Sequence, residues 1–306
     1  MKTGIAGAGS LGSLFASFFI KKGLETVLYD VSSETVSCIS KALKIISSSQ
    51  EYILHPRISA DPSILSDADI IFLFVKSYST AEAAATLAKY ARSDSIIVSL
   101  QNGLGNFESL KTAISPDRIV YGTTTFGAAR KSPSEIVFGG TGSVNIGGIS
   151  SRAVRVVREL LESSGCDVAV TDNPGRIIWQ KAMINAGINP IASILGIKNG
   201  QILENTYALE LQQSILKETV EAARSAGFDF DYDTILEETR TICSKTSSNT
   251  CSMLQDLNAG RKTEIENINL KIVETGEAAG LDMKYNRSVS CIIHALEEAG
   301  KNRVLR

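Results

Sequence analysis

With 306 residues, 43% of them hydrophobic and 21% charged, the chain is long enough for two domains that each bury a core. A formal net charge of -2 leaves no basic surplus for phosphate backbones, so no nucleic acid is expected as a partner and the expected ligand is a small molecule. The longest unbroken apolar run, Ile70 to Val75, has six residues against the roughly 20 that span a bilayer, and glycines at 4, 7, 9 and 12 break the apolar start a signal peptide needs, so no membrane insertion is expected.

Residues 2–6 predict a short apolar strand, followed by a glycine-rich turn and a helix over Leu11 to Lys22 that Gly23 ends. A second strand is predicted at Thr26 to Tyr29 and a third near Arg57 to Ala60. Ile70 to Val75 and Ser95 to Leu100 read as buried strands separated by a helix over Thr80 to Ala91, an alternation that predicts a parallel sheet. From Ile119 to Gly148 the texture changes to glycine, threonine and short alternating runs. Among them, Ile136-Val137-Phe138 and Ser143-Val144-Asn145-Ile146 predict antiparallel strands finishing that sheet. A helix over Arg152 to Ser163 and a strand over Val168 to Val170 close the domain. After Asp172-Asn173-Pro174-Gly175 no strand is predicted and helical periodicity runs on from Arg176, so the expected domains are 1–172 and 173–306. Five cysteines, at 38, 166, 243, 251 and 291, contain no C-x-x-C pair and spell neither a zinc site nor a disulfide framework, which fits reduced thiols in the cytoplasm.

The turn Gly7-Ala8-Gly9-Ser10-Leu11-Gly12 has the G-x-G-x-x-G form. Its first glycine serves the tight turn, its second the approach of a pyrophosphate, and its third the contact of helix with strand. It follows a strand and opens a helix, the context in which it marks a dinucleotide site with the pyrophosphate on the helix N-terminus. Asp30, ending the second strand, stands where an acid would bind the adenosine ribose hydroxyls and repel a 2′-phosphate, which leans toward NADH; it could equally cap the next helix. Lys76 follows a buried strand at the carboxyl edge of the sheet, where it could touch the cofactor or simply be solvated.

Carbonyl reduction needs a proton donor, and the two histidines, His55 in an early loop and His294 in the last helix, are poorly placed to be one. Lys181, Asn185 and Asn189 instead recur every four residues along an apolar helix and form one polar stripe. Such a stripe either faces water or lines a cleft, where desolvation would lower the pKa of the lysine and the amides would serve an oxygen-rich substrate.

The glycine turn belongs to a longer series: VKS at 75–77, QNGLGN at 101–106, WQKAMINAGINPI at 179–191, KNG at 198–200, SNTCSMLQDLNAGRKTEIENIN at 248–269 and GLDMKYN at 280–286. Along nearly its whole length the chain resembles the ketopantoate reductase (2-dehydropantoate 2-reductase) family. The resemblance implies an α/β fold, with an N-terminal Rossmann-type doubly wound sheet and an all-helical C-terminal domain resembling that of 6-phosphogluconate dehydrogenase. It implies reduction of ketopantoate to pantoate by a nicotinamide cofactor, on the route to pantothenate and coenzyme A, and it allows a homodimer.

Position by position, the resemblance implies that Lys181 is the general acid. Gly7 to Gly12, Asp30 and Lys76 would hold the cofactor, with Asn102 and Glu264 touching both cofactor and substrate. Asn185, Asn189 and Asn199 would orient the substrate, Ser252 would bind its carboxylate, and Glu264 would keep Lys181 charged and aimed. From the residues alone, Asn102 could be a plain Asn-Gly turn, Asn199 a helix stop, and Thr263 to Glu266 a capping box. The family typically uses NADPH and carries a basic residue just after the second strand, where this chain has Asp30, Val31 and two serines. The residues therefore point to NADH and the family to NADPH. The alternatives are another 2-oxoacid or opine-like reductase on the same fold, or a non-catalytic NAD-binding regulatory protein.

Overall fold

Every residue from Thr3 to Ala6 is buried, and the segment forms β1 (Lys2–Ala6) inside an eight-stranded sheet. The structure, a computed structural model, describes residues 1–48 and 50–304. They divide into two compact units, 1–101 with 106–177 and 102–105 with 178–306.

In the first unit α1 (Ser10–Lys21), β2 (Glu25–Tyr29), α2 (Ser33–Lys41), β3 (Leu43–Ile46), β4 (Glu51–Leu54) and β5 (Arg57–Ser59) follow β1. Then come β6 (Ile70–Leu73), α3 (Thr80–Tyr90), β7 (Ile96–Ser99), α4 (Asn106–Leu110), β8 (Ile119–Thr124), β9 (Ala128–Ser132), β10 (Glu135–Phe138), β11 (Ser143–Gly148), α5 (Ser151–Ser163) and β12 (Asp167–Val170). The main sheet has the order β12-β11-β8-β7-β6-β1-β2-β5. It is parallel from β5 to β8, and β11 joins β8 antiparallel.

Alternate residues of each strand point to opposite faces, and both faces are covered. Ile5, Leu28, Phe72 and Val98 pack with Leu14, Phe15 and Phe19 of α1 and Val157 and Leu161 of α5. Ala6, Val27, Ile71 and Ile97 pack on the other face with Ala84 and Leu87 of α3 and Leu110 of α4. This two-sided burial is what makes the strands read as unbroken apolar runs.

Ile136-Val137-Phe138 departs from expectation. It forms β10 of a separate four-stranded sheet, β4-β3-β10-β9, instead of finishing the main one. The cause is aromatic: Phe126 and Phe138 lie against Phe18 of α1, with ring centroids 5.3 and 5.8 Å away, which draws the hairpin onto the helix. β3 and β4 in that sheet were not predicted.

The second unit contains α6 (Pro174–Leu195) from Ile178 onward, α7 (Thr206–Ser225), α8 (Tyr232–Lys245), α9 (Ser252–Asn258), α10 (Lys271–Ala278) and α11 (Lys284–Val304), with no strand among its described residues. Its core runs through Met183, Ile188, Leu216, Val220, Ile272 and Ile293. Among the described residues no helix is long and apolar enough to cross a membrane.

Candidate active site

Each glycine of the turn has its own geometric reason. Gly7 lies in the left-handed region at φ +97°, and a Cβ there would come within 2.8 Å of the Phe74 and Val75 backbone. A Cβ on Gly12 would run into the Gly7 carbonyl oxygen, so the third glycine lets α1 pack against the turn. Around Gly9 a Cβ meets nothing within 4 Å: the second glycine borders open space. Gly9 is also the N-cap of α1 and makes no side-chain cap, and no acid stands in the first turn to occupy the positive end of the helix dipole.

The Asp30 carboxylate turns toward this loop. Its Oδ2 accepts the Ala8 N–H at 2.7 Å and its Oδ1 the Ser32 N–H at 2.9 Å. Ser32, not Asp30, caps α2, its Oγ accepting the Thr35 N–H at 3.2 Å, so the capping alternative for Asp30 does not hold. Lys76 is half-buried and precedes the 3₁₀ turn Ser77–Ser79. Gln101 ties the ends of β6 and β7 together, donating to Val75 O and Thr80 Oγ1, each at 2.8 Å, and accepting from Ser99 Oγ.

In the second unit, Lys181 and Asn185 are half-buried on α6 and Asn189 is only 6% exposed, so the stripe is no solvated face. Pro190 lies inside this helix and has no N–H for the carbonyl of Ala186 four residues back. Asn269 supplies the missing donor, its Nδ2 lying 3.3 Å from Ala186 O, and Gln212 Nε2 donates to Gly187 O at 3.1 Å. Cys251 Sγ, 3.6 Å from Asn189 O, serves a third carbonyl of the same stretch. Burial raises the pKa of this thiol, and burial pushes Cys243 up to about 11, so neither is primed as a thiolate.

Asn269 sits in a π-helical turn, Glu266–Leu270. Its Nδ2 also reaches Asn286 Oδ1 at 3.0 Å, and Asn286 donates to Glu218, whose carboxylate accepts the Tyr285 and Asn286 N–H groups and so caps α11. The alternative reading of Thr263 to Glu266 as a capping box does not hold. Glu266 pairs with Lys262 at 2.8 Å, and the Thr263 N–H goes to Glu297 Oε1 at 2.7 Å. His294 stands 3.0 Å from the other Glu297 oxygen and thus supports the segment leading into Glu264, while His55 meets the Lys41 carbonyl on the surface.

Glu264 is 8% exposed, and its charge acts on Lys181. Burial pushes the Lys181 pKa down to about 8, and the Glu264 carboxylate works against that fall. Part of the lysine side chain still meets solvent, but protein surrounds it densely enough for desolvation to dominate.

The segment 102–105 joins the same unit. Leu104 N–H donates to Asn267 O at 2.7 Å, and Gly103, at φ +84°, lies so close to Asn267 that a Cβ would sit 2.7 Å from that oxygen. Asn102 is therefore tied through its neighbours to the turn that follows Glu264. Asn199 is buried; its N–H donates to Asn249 O at 3.1 Å and its Nδ2 to Thr246 Oγ1 at 2.9 Å, so it is more than a helix stop. Its Oδ1 is buried and makes no hydrogen bond among the described residues. Ser252 is exposed at the start of α9, capped by Cys251, which accepts the Leu254 N–H. Sequence reading missed Asn269, Gln212 and Cys251; only Pro190, in the middle of a helical run, pointed to a need for outside donors.

Residues 3–151 match the family described as ketopantoate reductase PanE/ApbA, and residues 175–297 match its C-terminal family. The chain is 32% identical to 2-dehydropantoate 2-reductase of Archaeoglobus fulgidus over 296 residues, which cover 96% of this chain and 97% of that protein. The chain belongs to the ketopantoate reductase family. Another relative, 2-dehydropantoate 2-reductase of Halobacterium salinarum, is 29% identical over 98% of this chain and 100% of its own length. The ketopantoate reductase fold is shared by D-mandelate dehydrogenase, solved with NADH and anilino(oxo)acetate: TM-score 0.93 at 25% identity, covering 98% of this chain and all of that one.

Proposed function

We infer that the chain reduces 2-dehydropantoate to pantoate with a nicotinamide dinucleotide. The observation that carries this is Lys181, half-buried on a polar stripe beside the charge of Glu264, with a pKa lowered to about 8. An ammonium with that pKa is mostly protonated at neutral pH yet gives up its proton far more readily than an ordinary lysine. A nicotinamide dinucleotide held at the glycine turn would supply the hydride for the carbonyl carbon. Lys181 gives the proton to the carbonyl oxygen and becomes a neutral amine, which solvent reprotonates while Glu264 favours the charged form.

Asn189 and Asn199 hold amides in buried positions, and the buried Asn199 Oδ1 suits a substrate hydroxyl as its donor. Ser252 offers its hydroxyl to the substrate carboxylate, and Asn185 and Asn102 complete the polar lining. In the first unit, Gly7, Ala8, Gly9, Ser10, Leu11 and Gly12 fit a pyrophosphate at the start of α1, with Lys76 beside the sheet edge. Asp30, already aimed at the turn by Ala8, retains lone pairs for ribose hydroxyls and favours NADH. A homodimer in the cytoplasm belongs to the same proposal.

The test is steady-state reduction of 2-dehydropantoate with NADH and with NADPH; absence of turnover with either overturns the assignment. A second substrate reading comes from the likeness to D-mandelate dehydrogenase. If an aryl 2-oxoacid gives a higher kcat/KM than 2-dehydropantoate, the tail of the substrate has been misassigned while the chemistry stands. Asp30→Arg should move cofactor preference toward NADPH, and an unchanged ratio removes Asp30 from that role.

A further inference from the structure

Ala8, between the first two glycines of the turn, is gripped from two sides. Asp30 accepts its N–H at 2.7 Å, and Arg130 Nη2 donates to its carbonyl at 2.8 Å from 122 residues further along the chain. Arg130 lies on β9, the edge strand of the second sheet, and is half-buried. The Ala8 carbonyl also accepts from Ser13 Oγ at 3.1 Å, so it already has a neutral donor. A guanidinium adds a positive charge next to the N-terminus of α1, the positive end of its dipole, and the two together attract an anion to the turn. The planar fork of arginine matches phosphate oxygens, and the first turn of α1 contains no acid that would compete for it.

We propose that Arg130 is a ligand for a phosphate of the bound dinucleotide, supplying from the second sheet the basic residue that the sequence lacks after β2. This rests on the dinucleotide role of the turn. Two phosphate sources share that chemistry, the bridging diphosphate common to both cofactors and the 2′-phosphate of NADPH alone.

The experiment measures dissociation constants of NADH and NADPH by fluorescence titration on the full-length wild type, Arg130→Gln and Arg130→Lys. Glutamine keeps a neutral donor for the Ala8 carbonyl and removes the charge. The expected result is about tenfold to hundredfold weaker binding in Arg130→Gln, with part of the loss recovered in Arg130→Lys. An equal loss for both cofactors assigns the diphosphate; a loss confined to NADPH assigns the 2′-phosphate. Unchanged constants for both cofactors, even with a lowered melting temperature, make Arg130 a structural latch and overturn the proposal. If wild type binds neither cofactor, the dinucleotide role of the turn falls and takes this proposal with it.

Discussion

The glycine turn and the Lys181 cluster are built in opposite ways. The turn is six consecutive residues whose function resides in backbone shape, two glycines being forced by neighbouring backbone and one left facing open space. The proposed Lys181 site draws on residues scattered through the second unit, Asn102, α6, Asn199, Ser252 and Glu264, and the lysine owes its pKa to burial and to the charge of Glu264. Local geometry tolerates little substitution but is written in a short motif; the dispersed site is held by donors that its own helix cannot provide.

That contrast can be broken most strongly at Lys181. Lys181→Ala should lower kcat for reduction by about 10²- to 10⁴-fold, the usual worth of a positioned acid, with cofactor binding intact. A loss confined to KM would move the lysine from proton donor to binding group. In the turn, Gly12→Ala should cost about 1–3 kcal/mol of stability, because its Cβ meets the Gly7 carbonyl. Gly9→Ala should leave the melting temperature unchanged and weaken only dinucleotide binding, since no protein atom stands within 4 Å of the new methyl. Equal thermal effects for the two variants would refute the division of labour between these glycines. Smaller again is the coupling between Asn269 and Pro190. Asn269→Ala should cost about 1–2 kcal/mol by stranding the Ala186 carbonyl, and less in a Pro190→Ala background, where the helix regains its own N–H. Urea unfolding of the four members of the cycle measures this, and strict additivity would contradict it.

The first unit was legible because buried parallel strands and a six-residue turn leave local patterns. What escaped there was the second sheet: β3 and β4 have only four residues each, β4 buries none of them fully, and the Phe18, Phe126 and Phe138 contacts that hold the hairpin on α1 link residues distant in sequence. In the helical unit the polar stripe announced itself by spacing, but nothing near Ser252 or Asn199 marked them apart from the family resemblance. The apparent capping box at Thr263 misled because Glu297, on the last helix, captures the N–H that the motif would have used. Asn269 could not have been foreseen without knowing which carbonyl Pro190 leaves open.

The central claim is that Lys181 donates the proton from a pKa set by burial and opposed by Glu264. It is tested most directly by the pH dependence of kcat/KM for 2-dehydropantoate reduction in wild type and Glu264→Gln. Reduction requires the ammonium, so the wild-type value should fall as pH rises through about 8. Removing the carboxylate removes the interaction that raises the lysine pKa, so in Glu264→Gln the fall should begin at lower pH. A profile flat from pH 6 to 10, or a limb that stays in place in Glu264→Gln, would contradict the account.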